Sequence, residues 1–182
     1  DGREVVIGNP TEGALIQWLK TQGVDYRELR DRFKVVQQQP FSTETKYMLS
    51  DVVDSFDGKS LRLVKGAPEI VMSMCDAIAG DVLREDVEAT LLSYQHRAMR
   101  TLGFAVQMTH DAALTFIGIV GIADPIRDDV KEVVPTFARC RSCSATRVSR
   151  QRRYTHTSTV IVCEALLRSR LVMLNYNIMC IL

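Results

Sequence analysis

A strand that runs straight onto a glycine and then into a proline-led helix leaves a chain little choice of local structure. Leu63-Val64-Lys65-Gly66-Ala67-Pro68-Glu69 is such a stretch. Ser60 to Val64 alternate toward a β-branched end. Gly66 suits a turn where a Cβ would clash, and Pro68 suits a first helical turn, where its missing N–H is not needed. Lys65 is thereby expected at a strand end beside a helix N-terminus, a place favourable to an anion. Taken alone, the segment also reads as an ordinary strand, turn and helix with a solvated lysine.

The flanking sequence extends the pattern in both directions. Asn9-Pro10-Thr11-Glu12 is a helix start, with Asn9 as cap, Pro10 in the first turn and Glu12 placed to reach back to the Asn9 N–H as in a capping box. Ala14, Leu15, Trp18 and Leu19 share one face of that helix, and Gly23 stops it. Tyr26 to Arg32 reads as a short charged helix and Phe33 to Gln39 as a strand ending at Pro40. Phe41 to Lys46 then form an irregular stretch with one exposed aromatic and one lysine. Tyr47 to Phe56 and Ser60 to Val64 are two β-rich runs joined at Asp57-Gly58, a tight-hairpin signal. Pro68 to about Cys75 is expected as a short helix. Arg84 to Leu102 is expected as the longest helix, with Val87, Leu91, Leu92, Ala98, Met99 and Leu102 inward and Gly103 ending it. Phe104 to Met108 and Thr115 to Ala123 read as strands, and residues 128–134 as a further helix, kinked by Pro135. His96 and His110 stand in polar surroundings and are read as surface residues. No internal repeat is present, and no run reaches the roughly 20 apolar residues a spanning helix needs.

Charge divides the 182 residues unevenly. Residues 1–140 carry 16 Lys+Arg against 21 Asp+Glu, whereas 141–182 carry seven arginines, no lysine and a single acid, Glu164. The chain opens at Asp1 without an initiator methionine or signal-peptide pattern, which is read as a start inside a longer protein. Cysteines at 75, 140, 143, 163 and 180 form neither an even secretory framework nor a paired zinc pattern; Cys140 and Cys143 alone supply only two ligands. The body of the chain is therefore expected to be reduced and cytosolic, with no metal centre.

Four separated pieces, Gly8-Asn-Pro-Thr-Glu12-Gly-Ala-Leu15, Phe41-Ser42 followed by Lys46, Lys65-Gly-Ala-Pro-Glu69 and Arg100-Thr-Leu-Gly-Phe-Ala105, resemble the nucleotide-binding (N) domain of P-type cation-transporting ATPases, above all the calcium-transporting branch. Gly118 to Pro125 with Arg127 resembles the hinge by which that domain returns to the phosphorylation domain, so the likeness covers roughly residues 4–140. The resemblance implies an α/β (α+β) fold, a twisted antiparallel sheet flanked by helices. It divides the chain into an ATP-binding domain over 1–121 lacking its N-terminal part, a hinge and first helix over 122–140, and an irregular tail over 141–182. It also implies that Phe41 stacks on adenine, Glu12 accepts from its amino group, and Lys46, Lys65 and Gly66 line the pocket. Arg100 would reach toward the phosphates, with Asp124 and Arg127 near the terminal phosphate and its magnesium. The ligand implied is ATP, carried as Mg-ATP in the parent pump. The implied partners are that pump's phosphorylation and actuator domains at the cytoplasmic face of a membrane, with no nucleic acid.

The departures from the family are specific. The position before the pocket lysine, commonly arginine, is Thr45. One stacked ring and one or two charge-assisted hydrogen bonds, at roughly 1.5–3 kcal/mol each before binding entropy, imply affinity on the order of submillimolar to millimolar. No Asp-Lys-Thr-Gly, Thr-Gly-Asp or Gly-Asp-Gly occurs, so neither ATP hydrolysis nor ion transport is expected of this chain alone. A non-catalytic remnant with an incomplete pocket is the alternative. For the tail, one reading is a frameshift near Cys140 to Ser144: a coding run CGG-CGA-TAC would spell Arg152-Arg153-Tyr154, and the same bases read one position later spell Gly-Asp, where the family's loop belongs. The other is a basic arm for nucleic acid or acidic lipid.

Overall fold

The computed structural model describes residues 9–80, 82–108 and 113–123, and the backbone of Val160–Val162. Along the chain run α1 (Pro10–Thr21), α2 (Tyr26–Arg32), β1 (Phe33–Gln39), β2 (Tyr47–Asp54), β3 (Ser60–Gly66), α3 (Pro68–Ser73), β4 (Ala77–Ile78), α4 (Arg84–His96), β5 (Arg100–Met108), β6 (Thr115–Ile122) and β7 (Val160–Val162). The strands form one sheet in the order β1-β2-β3-β5-β6-β4, with β7 also on β6. All pairings are antiparallel except β4 with β6, where Ala77 and Ile78 lie parallel to Thr115 and Phe116. That parallel edge was not expected from the sequence, and β7 places a strand inside the stretch read as an irregular tail.

Strand alternation divides the sheet's side chains between two cores. Val52, Leu61, Leu63, Phe104 and Val106 pack with Ala14, Leu15 and Leu19 of α1, while Tyr26 and Leu29 of α2 rest against the margin. Val64, Ala105, Phe116 and Ile119 face the other way, onto Val71 and Met72 of α3 and Val87, Leu91 and Tyr94 of α4. Leu15, Leu19, Val71 and Phe104 are fully excluded from water, and each aliphatic side chain so buried contributes roughly 1.5–3 kcal/mol.

The first helix is anchored at both ends by its own sequence. The Thr11 N–H donates to Asn9 Oδ1 at 3.0 Å. At the C-terminus, Gly23 adopts φ 74° while the Val24 and Gly23 N–H groups donate to the Leu19 and Lys20 carbonyls, each at 3.1 Å, which completes a Schellman motif.

Three expectations are corrected. The helix expected over 84–102 ends at His96. The Ala98 N–H donates to Gln95 O and the Met99 N–H to Tyr94 O, a Schellman stop with Ala98 at φ 54° in place of glycine. Burial of Met99 together with Tyr94 supports this strained stop, and Arg100 to Met108 are released as a nine-residue strand. Second, Leu92 points to solvent, since the buried stripe is Val87, Leu91 and Tyr94, at helical spacing of four and three. Third, Gly66 is not a turn residue. It is the last residue of β3, and its missing side chain serves close approach, because a Cβ there would stand 2.6 Å from Tyr47 Cα and closer still to the Lys46 carbonyl oxygen.

The helix expected over 128–134, Pro135, His110 and the Cys140/Cys143 pair lie outside the described residues. His96 is exposed, as expected. Among the described residues no helix is long and apolar enough to cross a membrane.

Candidate functional site

Lys65 lies one residue before the end of β3, in register with Met48 on β2 and Phe104 on β5. Cross-strand partners share a face, and Lys65 alternates with Leu61 and Leu63, so its side chain emerges beneath α1. The strand ladder and α1 leave that side chain only 13% exposed. A lysine so placed keeps its charge when an anion or dipole accompanies it. Here the companion is Glu12, whose Oε1 stands 3.6 Å from Lys65 Nζ with the carboxylate 51% exposed. Glu12 thus takes part in an ion pair across the α1–β3 junction.

Arg100 is the first residue of β5, not part of a helix, and its Nη1 donates to Thr11 Oγ1 at 3.5 Å. Thr11 directly precedes Glu12, so the first turn of α1 contacts two cations from separate strands. Sequence reasoning misses this role of Thr11, since nothing local links it to a residue 89 positions away.

The stretch from Phe41 to Lys46 is ordered by its own hydrogen bonds. The Lys46 N–H donates to Ser42 O at 2.8 Å, and Thr45 N–H donates to Ser42 Oγ at 3.1 Å. The two hydroxyls of Ser42 and Thr45 lie 3.0 Å apart, and Thr45 Oγ1 donates to Tyr47 O at 3.4 Å. Lys46 has φ 61°, a left-handed conformation rare for a lysine. Its carbonyl accepts from Ala67 N–H at 2.9 Å, tying the loop to the first residue after Gly66. Phe41 stands just before this turn with 58% of its surface exposed, and Lys46 is exposed too. The hydroxyl pair was missed in the sequence; a Ser42-x-x-Thr45 spacing in front of a strand is the signal that marks it.

Glu12, Lys65 and Arg100 are thus brought together around the start of α1, and Lys46 is joined through backbone to the Gly66–Ala67 step beside Lys65. Asp124 and Arg127 lie outside the described residues. The helix after Gly66 has six residues and no side-chain cap, so Lys65 has only a short helix beside it. Among the described residues no three His, Cys, Asp or Glu side chains are grouped to hold a metal. An open depression of about 360 Å³ lies elsewhere, toward the β2–β3 hairpin end, between Val36, Val53 and the 2.8 Å Asp51–Arg62 pair. Its only titratable pair is self-neutralising, and none of the residues above lines it.

Below the same sheet face, Arg32 makes a forked contact with Asp54, Nη2 to Oδ2 at 2.6 Å and Nε to both oxygens at 3.0 Å. That hydrogen bonding, aided by the Phe56 N–H, holds the Asp54 carboxyl below its ordinary range against the opposing effect of burial. The Arg32 guanidinium also lies 5.0 and 5.1 Å from the Phe33 and Phe56 ring centres. This cluster closes the β1–β2 end of the sheet and contains none of the candidate binding residues.

The family described as P-type ATPase, cytoplasmic domain N, matches residues 1–129. Among curated relatives, the chain is 35% identical over 162 residues to the plasma membrane-type calcium-transporting ATPase 10 of Oryza sativa subsp. japonica, covering 78% of this chain and 15% of the relative. It is 33% identical to the plasma membrane-type calcium-transporting ATPase 2 of Arabidopsis thaliana, covering 76% of this chain and 16% of that protein. A calcium-transporting ATPase of Bacillus subtilis (strain 168) is 27% identical over 74% of this chain and 17% of its own length. The chain therefore spans about a sixth of the length of these relatives.

Proposed function

This chain belongs to the family of P-type ATPase cytoplasmic N domains, and from that premise we propose that it binds ATP by its adenine end. The observation that carries the reading is the Glu12–Lys65 pair at 3.6 Å, formed by two motifs 53 positions apart at the start of α1 and the end of β3. A carboxylate that is half exposed there is free on one side to accept from an exocyclic amine, and Lys65 supplies positive charge from a largely dehydrated position. Phe41, exposed at the head of a fixed turn, offers a stacking face; Lys46 and the Gly66 step complete the pocket wall. Arg100 reaches from β5 toward the phosphate side, with Asp124 and Arg127 following β6 in sequence.

In this reading magnesium would come bound to the nucleotide's phosphates, with Asp124 and Arg127 near the terminal phosphate, as the resemblance implies. The parent is a calcium-transporting pump, the chain works at the cytoplasmic face of a membrane, and its partners are the pump's phosphorylation and actuator domains. The domain holds the nucleotide; accepting its phosphoryl group and moving the ion belong to other parts of that pump. The hinge assignment for 122–140 and the frameshift reading of 141–182 stand beside this as proposals, the latter decided by translating the coding DNA in all frames.

Titration with a fluorescent trinitrophenyl analogue of ATP, with ATP as competitor, tests the reading. Saturable binding on the order of submillimolar to millimolar is expected for ATP, weakened by Phe41→Ala and by Lys65→Ala. Binding left unchanged by both substitutions would sink it.

A further inference from the structure

We propose that the paired hydroxyls of Ser42 and Thr45 form the positioning element that holds Phe41 and Lys46 in place for the nucleotide; the proposal rests on the adenine-nucleotide reading above. Lys46 occupies a left-handed conformation that a lysine adopts only when its surroundings impose it. Two restraints do so. On the β3 side, Ala67 N–H holds the Lys46 carbonyl at 2.9 Å, and the bare Cα of Gly66 gives that carbonyl room. On the Phe41 side, the restraint is the turn closed by Ser42.

The protons in that turn run in one direction. Ser42 Oγ accepts from Thr45 N–H and donates its own proton to Thr45 Oγ1, which in turn donates to Tyr47 O. Each hydroxyl is thereby donor and acceptor at once; loss of the Thr45 hydroxyl leaves the Ser42 proton without its acceptor, and loss of the Ser42 hydroxyl leaves Thr45 Oγ1 without its donor. An arginine at position 45 carries five donors and no acceptor, so it has nothing to receive the Ser42 proton. Thr45 accordingly substitutes geometric restraint of Lys46 for a second positive charge. Neither hydroxyl is assigned contact with the ligand; they act through the residues on either side.

The test compares Thr45→Val, which keeps the shape and loses the hydroxyl, with Thr45→Ser, which keeps the hydroxyl. The two readouts are ATP affinity, by displacement of the trinitrophenyl analogue, and hydrogen exchange of the Lys46 amide, followed by NMR. Loss of one neutral hydrogen-bond link is expected to weaken ATP binding by about 2- to 10-fold in Thr45→Val and to speed Lys46 exchange by a similar factor. Thr45→Ser is expected to restore both, and adding Ser42→Ala to Thr45→Val to weaken binding and speed exchange further, because Ser42 Oγ also accepts from the N–H of residue 45. Unaltered Lys46 exchange in Thr45→Val overturns the positioning role whatever the wild-type affinity, as does a serine variant that behaves like valine. Absence of saturable ATP binding in the wild type instead overturns the adenine reading.

Discussion

Replacing Gly66 by alanine is the most direct test of how β3 meets the Phe41–Lys46 loop. The added Cβ would stand 2.6 Å from both Cα and Cβ of Tyr47 and closer to Lys46 O, all of it backbone or its first side-chain atom. Restoring ordinary contact with the nearest of these atoms needs a shift of about 1 Å in a strand paired through Tyr47 and Gly66 themselves. Overpacking of this kind costs roughly 1–3 kcal/mol, and loss of the Ala67–Lys46 hydrogen bond adds roughly 0.5–1.5 kcal/mol. The sum, about 2–4 kcal/mol, is a large part of a typical domain's 5–15 kcal/mol and lowers a urea midpoint by about 1–2 M. Gly103→Ala is the internal comparison. There the nearest atom is Pro68 Cα at 2.8 Å and the next is Phe116 Cε2 at 3.3 Å, a ring edge that can turn. Its expected cost is smaller, about 1–2 kcal/mol. At Gly58, φ is 69° and no atom lies within 4 Å, so alanine meets only the left-handed backbone strain of about 1 kcal/mol. The midpoints should therefore fall in the order Gly66, Gly103, Gly58. A Gly66→Ala protein as stable as the Gly58→Ala protein would refute the close-approach argument.

Asp54 should give the sheet a pH dependence of definite sign. Its folded carboxyl titrates below the unfolded value of about 3.9, so the Arg32 contact stabilises fully above that pH and is lost as pH falls through the folded value. Asp54→Asn is expected to lower the unfolding free energy at pH 7, read from urea titration, by about 1–3 kcal/mol, with the gap to wild type narrowing below about pH 4; a gap that widens in acid contradicts the assignment. Leu91→Ala should cost about 2–5 kcal/mol and Leu92→Ala within about 0.5 kcal/mol, because only the first is buried. Equal losses in thermal unfolding would place α4 in the wrong rotation. Burial pushes the Cys75 thiol up to about 12, and its Sγ donates to Val71 O. Peptide mapping after a short iodoacetamide pulse at pH 8 should find Cys75 unlabelled in the native chain and labelled in urea, and rapid native labelling would overturn the burial.

The sequence was most legible where one residue's local chemistry decides the structure. Asn9-Pro10, Gly23 and Asp57-Gly58 each act within four positions, and α1 and the β2–β3 hairpin follow them closely. It was least legible where a tertiary contact overrides local preference. Helical periodicity through Arg97 to Leu102 is plausible locally, but pairing of Arg100 to Val106 with β6, and of Gly103 to Met108 with β3, stabilises the strand. The stop at Ala98 then carries no glycine to announce it. Gly103 reads as a helix terminator for the same reason, whereas its missing side chain lets Pro68 of α3 rest against β5. The two-residue β4 is too short to have any period, and its two pairs with β6 are its only reason to be a strand.

Glu12 shows how the site itself was only half legible. At the third position of α1 it had a local role available, a bond back to the Asn9 N–H, and a distant one implied by resemblance. The structure adds an ion pair with Lys65 to these two. Asn9 already satisfies the Thr11 N–H, and the remaining cap donor is near solvent, whereas Lys65 is an ammonium with seven-eighths of its side chain removed from water. A half-exposed carboxylate gains more beside that ammonium than beside an N–H that water can serve. The consequence bears on the proposed ligand. An adenine amino group reaching Glu12 would meet a carboxylate whose charge Lys65 already partly neutralises through Oε1, so the hydrogen bond made on its exposed side is weaker than one to a lone carboxylate. That neutralisation, more than the number of contacting side chains, sets the weak affinity expected here.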